Sequence, residues 1–244
     1  MSSTFEEAKK RLCLALDVAS AKEANEIVTE LSGFVGVFKV GLELFTNAGA
    51  QVVSSIIRSG GEVFLDLKYH DIPNTVAGAA RAATRLGVSL FDVHASGGSA
   101  MMRAASEAVR EEAGKLGVFG PRVLAVTVLT SLSEKMLHEE LNVRANLSDQ
   151  VIELARLAQA SGMDGVVASP QEIGPLREAC GESFIILTPG IRPKGAAVQD
   201  QERVTTPREA FEMGATYIVV GRPILKAPDR LKACQDIIAD MTSK

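Results

Sequence analysis

Eight short runs of β-branched and apolar residues recur along the chain, and their spacing limits the fold more than any other feature. They are Leu12–Val18, Val37–Leu42, Glu62–Lys68, Leu90–His94, Val123–Thr130, Gly165–Ser169, Phe184–Leu187 and Tyr217–Val220. Between them lie segments with helical apolar spacing and helix end signals. Ser20 with Glu23 predicts a capped helix over Ala21–Leu31, and Thr206, Pro207 and Glu209 repeat the signature before Arg208–Met213. Gly60–Gly61, Gly87, Gly162 and Gly214 stand where a left-handed residue commonly ends a helix. Strands alternating with helices require a parallel sheet, because a parallel crossover is too long for a tight turn. Several of the runs are apolar almost throughout, as when both faces of a strand are buried. Eight such units in 244 residues predict an α/β protein, a (β/α)8 TIM barrel forming a single domain over 1–244. The alternative is an open doubly wound sheet, which no G-x-G-x-x-G after the first run supports.

Composition narrows the class. A hydrophobic share of 46% and a charged share of 23% are those of an ordinary globular chain. The net charge of -4 argues against nucleic acid as a partner, since phosphate backbones demand a basic face. Cys13, Cys180 and Cys234 are far apart, which fits neither a disulfide framework nor a zinc site but suits buried thiols in a reducing cytosol. The opening MSSTFEEAKKR lacks the apolar stretch of a secretory signal, and no uncharged apolar run is long enough for a membrane span. The expectation is a soluble, cytoplasmic protein with no membrane partner.

In a barrel, active sites lie at the carboxyl ends of the strands. Here the first run contains Leu16–Asp17, the second Phe38–Lys39–Val40–Gly41, and the third Asp66–Leu67–Lys68. Side chains alternate along a strand, so Asp66 and Lys68 share a face, and Asp17 and Lys39 end the neighbouring strands. Asp71 lies past the third strand, where the chain is free to reach away. Buried charge is expensive and seldom kept without use, so this set is read as functional rather than as structural ion pairs.

A second group follows the last two strands, in Thr188–Pro189–Gly190–Ile191–Arg192–Pro193 and Gly221–Arg222–Pro223–Ile224. Barrels often hold a phosphate at these loops, through glycine N–H groups and a nearby helix start, and Arg222 adds a bidentate fork. The eighteen-residue connection Thr188–Thr205 is long for its place, and such loops are commonly lids or binding segments. His94 is read as a hydrogen-bonded structural residue near the site. His70 and His138 show no metal-ligand spacing with it, so no metal is expected. Thr130–Ser131 either presents polar groups to a heterocycle or simply forms a turn.

These motifs, with Asp66–Leu67–Lys68–Tyr69–His70–Asp71–Ile72–Pro73–Asn74–Thr75, resemble the orotidine 5′-phosphate decarboxylase family, in its shorter bacterial group, along essentially the whole chain. The Asp-x-Lys-x-x-Asp core belongs to a wider superfamily; the Ile-Pro-Asn-Thr extension and the Thr-Pro-Gly-Ile-Arg segment narrow it. The resemblance implies a cofactor-free decarboxylation of orotidine 5′-phosphate to uridine 5′-phosphate and CO2, the last step of de novo pyrimidine nucleotide synthesis. It implies that Lys68 is the proton donor, with Asp66 and Asp71 beside the scissile carboxylate. Asp17, Lys39 and Thr75 would meet the ribose hydroxyls, and Thr130 the pyrimidine ring. Gln201, Gly221 and Arg222 would hold the phosphate, with Arg192 in a lid that the phosphate closes. Asp71, Ile72 and Thr75 would enter the site from the other subunit of a homodimer. Two other readings remain at this point. One is a Mg²⁺-dependent relative acting on a sugar phosphate; the other is a nucleotide-binding barrel without turnover.

Overall fold

Across the residues it describes, 3–193 and 205–243, the computed structural model closes eight parallel strands into a barrel in the order of the chain. The strands are β1 (Leu12–Ala15), β2 (Val37–Gly41), β3 (Glu62–Tyr69), β4 (Leu90–His94), β5 (Arg122–Val126), β6 (Gly165–Val167), β7 (Ile185–Thr188) and β8 (Tyr217–Val220). Each pairs in parallel with its neighbours, and β8 returns to β1 through Leu12↔Ile218, Cys13↔Val219 and Leu14↔Val220. The expected TIM barrel is thus observed, and the open sheet is excluded by this closure.

Local sequence explains the helix ends. Ser20 Oγ accepts the Glu23 N–H at 3.2 Å, and the helix runs over Ala21–Leu31 as expected. Thr206 and Glu209 form a full capping box ahead of helix Pro207–Glu212, exchanging bonds of 3.2 and 2.8 Å. Gly87 ends helix Pro73–Leu86 in the left-handed region, which a side chain would strain.

Strand ends differ from expectation where burial outlasts pairing. The first run was expected to reach Val18 and the fifth Thr130, but β1 stops at Ala15 and β5 at Val126. Leu16, Val18 and Val128 remain buried past those ends. Their apolar character therefore reports burial in the main core, not a continuing ladder. β2 and β6 also stop short of their runs, while β3 extends by one residue and β7 is displaced by one.

Two apolar regions result. The larger lies between barrel and helices and is built from residues such as Leu14, Phe38, Phe91, Met102 and Ile237. The smaller fills the barrel with Cys13, Ala15, Val37, Phe64, Leu90, Leu124, Leu187 and Val219. At the amino end of the strands, arginines hold the closure. Arg177 donates to the carbonyls of Gly214, Gly181, Glu182 and Phe184 and to Thr216 Oγ1, at 2.5 to 3.1 Å. Arg11 donates to Thr216 O at 3.0 Å and lies 4.0 Å over the Phe211 ring. Among the described residues, no helix is long and apolar enough to cross a membrane. Cys13, Cys180 and Cys234 are free and buried.

Candidate active site

Strand alternation places the next inward position above the apolar plug at Lys39 on β2, Asp66 on β3 and Asp92 on β4. Charge therefore lies directly on a dry floor. Lys39 Nζ is 3.1 Å from Asp66 Oδ2 and 3.4 Å from Asp17 Oδ1, while Lys68 Nζ pairs with Asp66 Oδ1. The four side chains form a row of alternating sign, Asp17–Lys39–Asp66–Lys68. Its middle is buried and its Asp17 end is exposed, with 57% of that side chain accessible. Asp17 reaches the row from beyond β1 rather than from its end, because the ladder has already stopped.

The local electrostatics follow from this order. Burial works against the Asp66 carboxylate, but Lys39, the neighbouring Asp92 side chain and Lys68 outweigh it and hold its pKa down at about 2. Burial likewise opposes the Lys39 ammonium, yet Asp66 and Asp17 more than compensate and its pKa is raised. The buried middle of the row is thus ionised across the neutral range.

Lys68 is turned into place by its backbone. Its φ is 49°, one of two positive values outside glycine among the described residues, a conformation costing about 1–2 kcal/mol. The β3–β4 register shifts between Leu65 and Tyr69, and the Lys68 N–H bonds to Asp92 Oδ1 at 2.8 Å. The sequence reading assigned Asp92 no role. Its signal was present all the same, as a lone carboxylate in the middle of the otherwise apolar stretch Leu90–Val93.

Above the row lies a cavity of about 320 Å³. Asp17, Lys39, Asp66 and Lys68 line it from the first three strands, Arg192, Gly221 and Arg222 from the segments after β7 and β8. Thr130, Val126, Val167 and Leu187 complete the wall. Arg192 is buried, and its N–H bonds to Thr205 O at 3.1 Å. Gly221 leaves room that a side chain would take, since an added Cβ would stand 3.3 Å from both Ala15 Cβ and Asp17 Oδ2.

Three expected site residues do not join the cavity of this chain. Asp71 is exposed and accepts the Ile72 N–H at 2.6 Å. Ile72 is 67% exposed, and Thr75 is exposed one turn later. Gln201 and most of the expected lid fall outside the described residues. His94 makes no ring hydrogen bond among the described residues; its ring instead lies 5.3 Å from that of His70. Burial, His70 and Lys68 lower its pKa and favour the neutral imidazole.

Comparison with known proteins agrees with this fold. The model of the orotidine 5′-phosphate decarboxylase / HUMPS family matches residues 10–237. The orotidine 5′-phosphate decarboxylase of Heliobacterium modesticaldum is 52% identical over 235 residues, 96% of this chain and 97% of that protein. That of Syntrophotalea carbinolica is 53% identical over 237 residues, 97% of each. The crystal structure of orotidine 5′-phosphate decarboxylase from Lactobacillus acidophilus superposes with a TM-score of 0.85 at 41% identity, covering 95% of this chain and 99% of the other. With matches that run nearly end to end, this chain belongs to the orotidine 5′-phosphate decarboxylase / HUMPS family.

Proposed function

We propose that this chain, as one βα-barrel domain, converts orotidine 5′-phosphate to uridine 5′-phosphate and CO2 in the last step of de novo pyrimidine nucleotide synthesis. The observation that carries the reading is the Asp17–Lys39–Asp66–Lys68 row on the floor of a cavity that also holds Arg192 and Arg222. Relatives about half identical over nearly the whole length, named for this activity, support it.

In the proposed reaction the bond from carbon 6 of the pyrimidine to its carboxylate breaks, and the electron pair stays on carbon 6. That pair lies in the ring plane, where the ring π system does not delocalise it. Enzymes lower barriers by about 8–23 kcal/mol, and a carbanion of this kind calls for the upper part of that range. Fixed charge set before the reaction is the natural source. Lys68 stabilises the developing anion and then transfers an Nζ proton to carbon 6, so that H replaces CO2. Asp66 holds Lys68 in line and faces the departing carboxylate, while Asp17 and Lys39 bind the ribose hydroxyls. Thr130 meets the pyrimidine. The two guanidiniums, with Gly221 and Gln201, take the phosphate, and its binding energy closes the 188–205 segment over the site.

The site is completed in a homodimer. Asp71, Ile72 and Thr75 stand exposed on this chain, at the start of helix Pro73–Leu86. An apolar side chain as open as Ile72 suits a surface that a second copy covers. Three buried, unpaired cysteines suit a cytoplasmic setting.

The test is an assay with orotidine 5′-phosphate in the presence of EDTA, following loss of the orotate absorbance and release of CO2. Turnover unaffected by the chelator is the expected result. Absence of turnover would reject the activity, and turnover only with added Mg²⁺ would favour the metal-dependent relative.

A further inference from the structure

The mechanism above gives no part to Asp92, the most deeply buried carboxyl among the described residues. Asp92 is fully buried on β4, beneath Lys68 and beside Asp66. Its Oδ1 accepts the Lys68 backbone N–H at 2.8 Å. Its Oδ2 is sealed from solvent and receives no hydrogen bond. An ionised carboxylate in that position would leave one charged oxygen without a donor in a dry core, next to a second carboxylate. A proton on Oδ2 removes both difficulties, because it turns the oxygen into a donor, and the Asp66 carboxylate is beside it on the neighbouring strand, where Leu65 pairs with Phe91.

We propose that Asp92 is a positioning residue, a neutral carboxylic acid that accepts the Lys68 N–H through one oxygen and donates its proton to the Asp66 carboxylate through the other. The same side chain thereby holds two members of the row. It pins the left-handed backbone at Lys68 (φ 49°), which directs the ammonium toward the site. It also fixes the Asp66 carboxylate from below while Lys39 and Lys68 hold it from the sides. The titratable groups that interact with Asp92, namely Asp66, Lys68 and Tyr69, all belong to β3. Burial and the Asp66 charge raise the pKa of Asp92 well above the ordinary carboxyl range, in keeping with the geometry.

The proposal rests on the reading of Asp66 and Lys68 as the reacting centre, and its test separates the two. Asp92→Asn keeps one acceptor and one donor of nearly the same shape, whereas Asp92→Ala removes both. Asp92→Asn is expected to retain kcat within fivefold of wild type, with an unchanged pH profile of kcat/KM. Asp92→Ala is expected to lose 30-fold or more in kcat with KM within threefold. Infrared spectra of the wild-type protein at pH 8 should contain a protonated-carboxyl carbonyl band that is absent from Asp92→Asn. A shifted pH profile in Asp92→Asn, a loss in kcat beyond fivefold, or the lack of that band would overturn the proposal. If Asp92→Ala does not fold, the Asn variant and the spectrum still decide. Should Lys68→Ala remain fully active, the reaction centre has been misread, and the infrared result still reports the state of Asp92.

Discussion

The two ends of the barrel use cations in opposite ways. At the amino end, Arg177 and Arg11 are consumed mainly by backbone carbonyls of the turns leading into β7 and β8, with four carbonyls and the Thr216 hydroxyl on Arg177 alone. At the carboxyl end, Lys39 and Lys68 face carboxylates and open space, and a side chain holds a strained backbone to keep them there. The same residue chemistry is therefore structural at one end and available at the other. What differs is whether the acceptors are main chain, fixed by the fold, or side chains with capacity to spare.

Substitutions at the two ends should accordingly separate activity from stability. The largest effect is expected from Lys68→Ala, which should lower kcat by four orders of magnitude or more, about 5.5 kcal/mol of barrier. It should still bind uridine 5′-phosphate and unfold close to the wild-type temperature. Steady-state kinetics with calorimetric titration of the product check this, and near-wild-type kcat would end the assignment of Lys68.

Arg222→Ala should come next, with kcat/KM down about 100-fold, since a charge-assisted bond contributes roughly 1.5–3 kcal/mol. Added guanidinium should restore part of the loss, and failure to affect KM or kcat would remove Arg222 from the phosphate site. At the other end, Arg177→Met should reverse the pattern. Lost bonds to buried carbonyls should cost about 3 kcal/mol of unfolding free energy, measured in urea, while kcat per folded molecule stays the same. A fall in kcat with unchanged stability would erase the contrast between the ends.

The smallest effect concerns pH. The Asp66 carboxyl titrates at about 2 in the folded chain and near 3.9 when unfolded. Its contribution is thus complete above about pH 4 and lost as the pH falls toward 2. Between pH 5 and 2.5 the wild type should lose about 2 kcal/mol more than Asp66→Asn. Parallel urea midpoints across that range would refute the buried ion pairing.

Much of this was legible in the sequence, for identifiable reasons. Parallel strands buried on both faces leave apolar runs, so all eight were recoverable, with β4 and β8 correct at both ends. The ends of β1 and β5 were overrun because Leu16, Val18 and Val128 stay buried after pairing stops, and hydrophobicity reports burial, not hydrogen bonding. Lys39, Asp66 and Lys68 could be brought together because alternation along neighbouring strands is a local rule. Asp92 was overlooked since its partner, the Lys68 N–H, becomes available only where the β3–β4 register shifts. Asp71 stands exposed outside the cavity of this chain, because it lies past the end of β3, where strand alternation no longer says which way a side chain points.

The hydrocarbon filling of the barrel has one more consequence. Phe64, Leu90, Leu124 and their neighbours are buried apolar side chains directly under the charged layer, and they offer no polar group to reorient when charge above them shifts. The part of the field that comes from the Asp17–Lys39–Asp66–Lys68 row is set when the chain folds. If the proposed reaction holds, a polar residue introduced into that filling should slow turnover without touching the ligand.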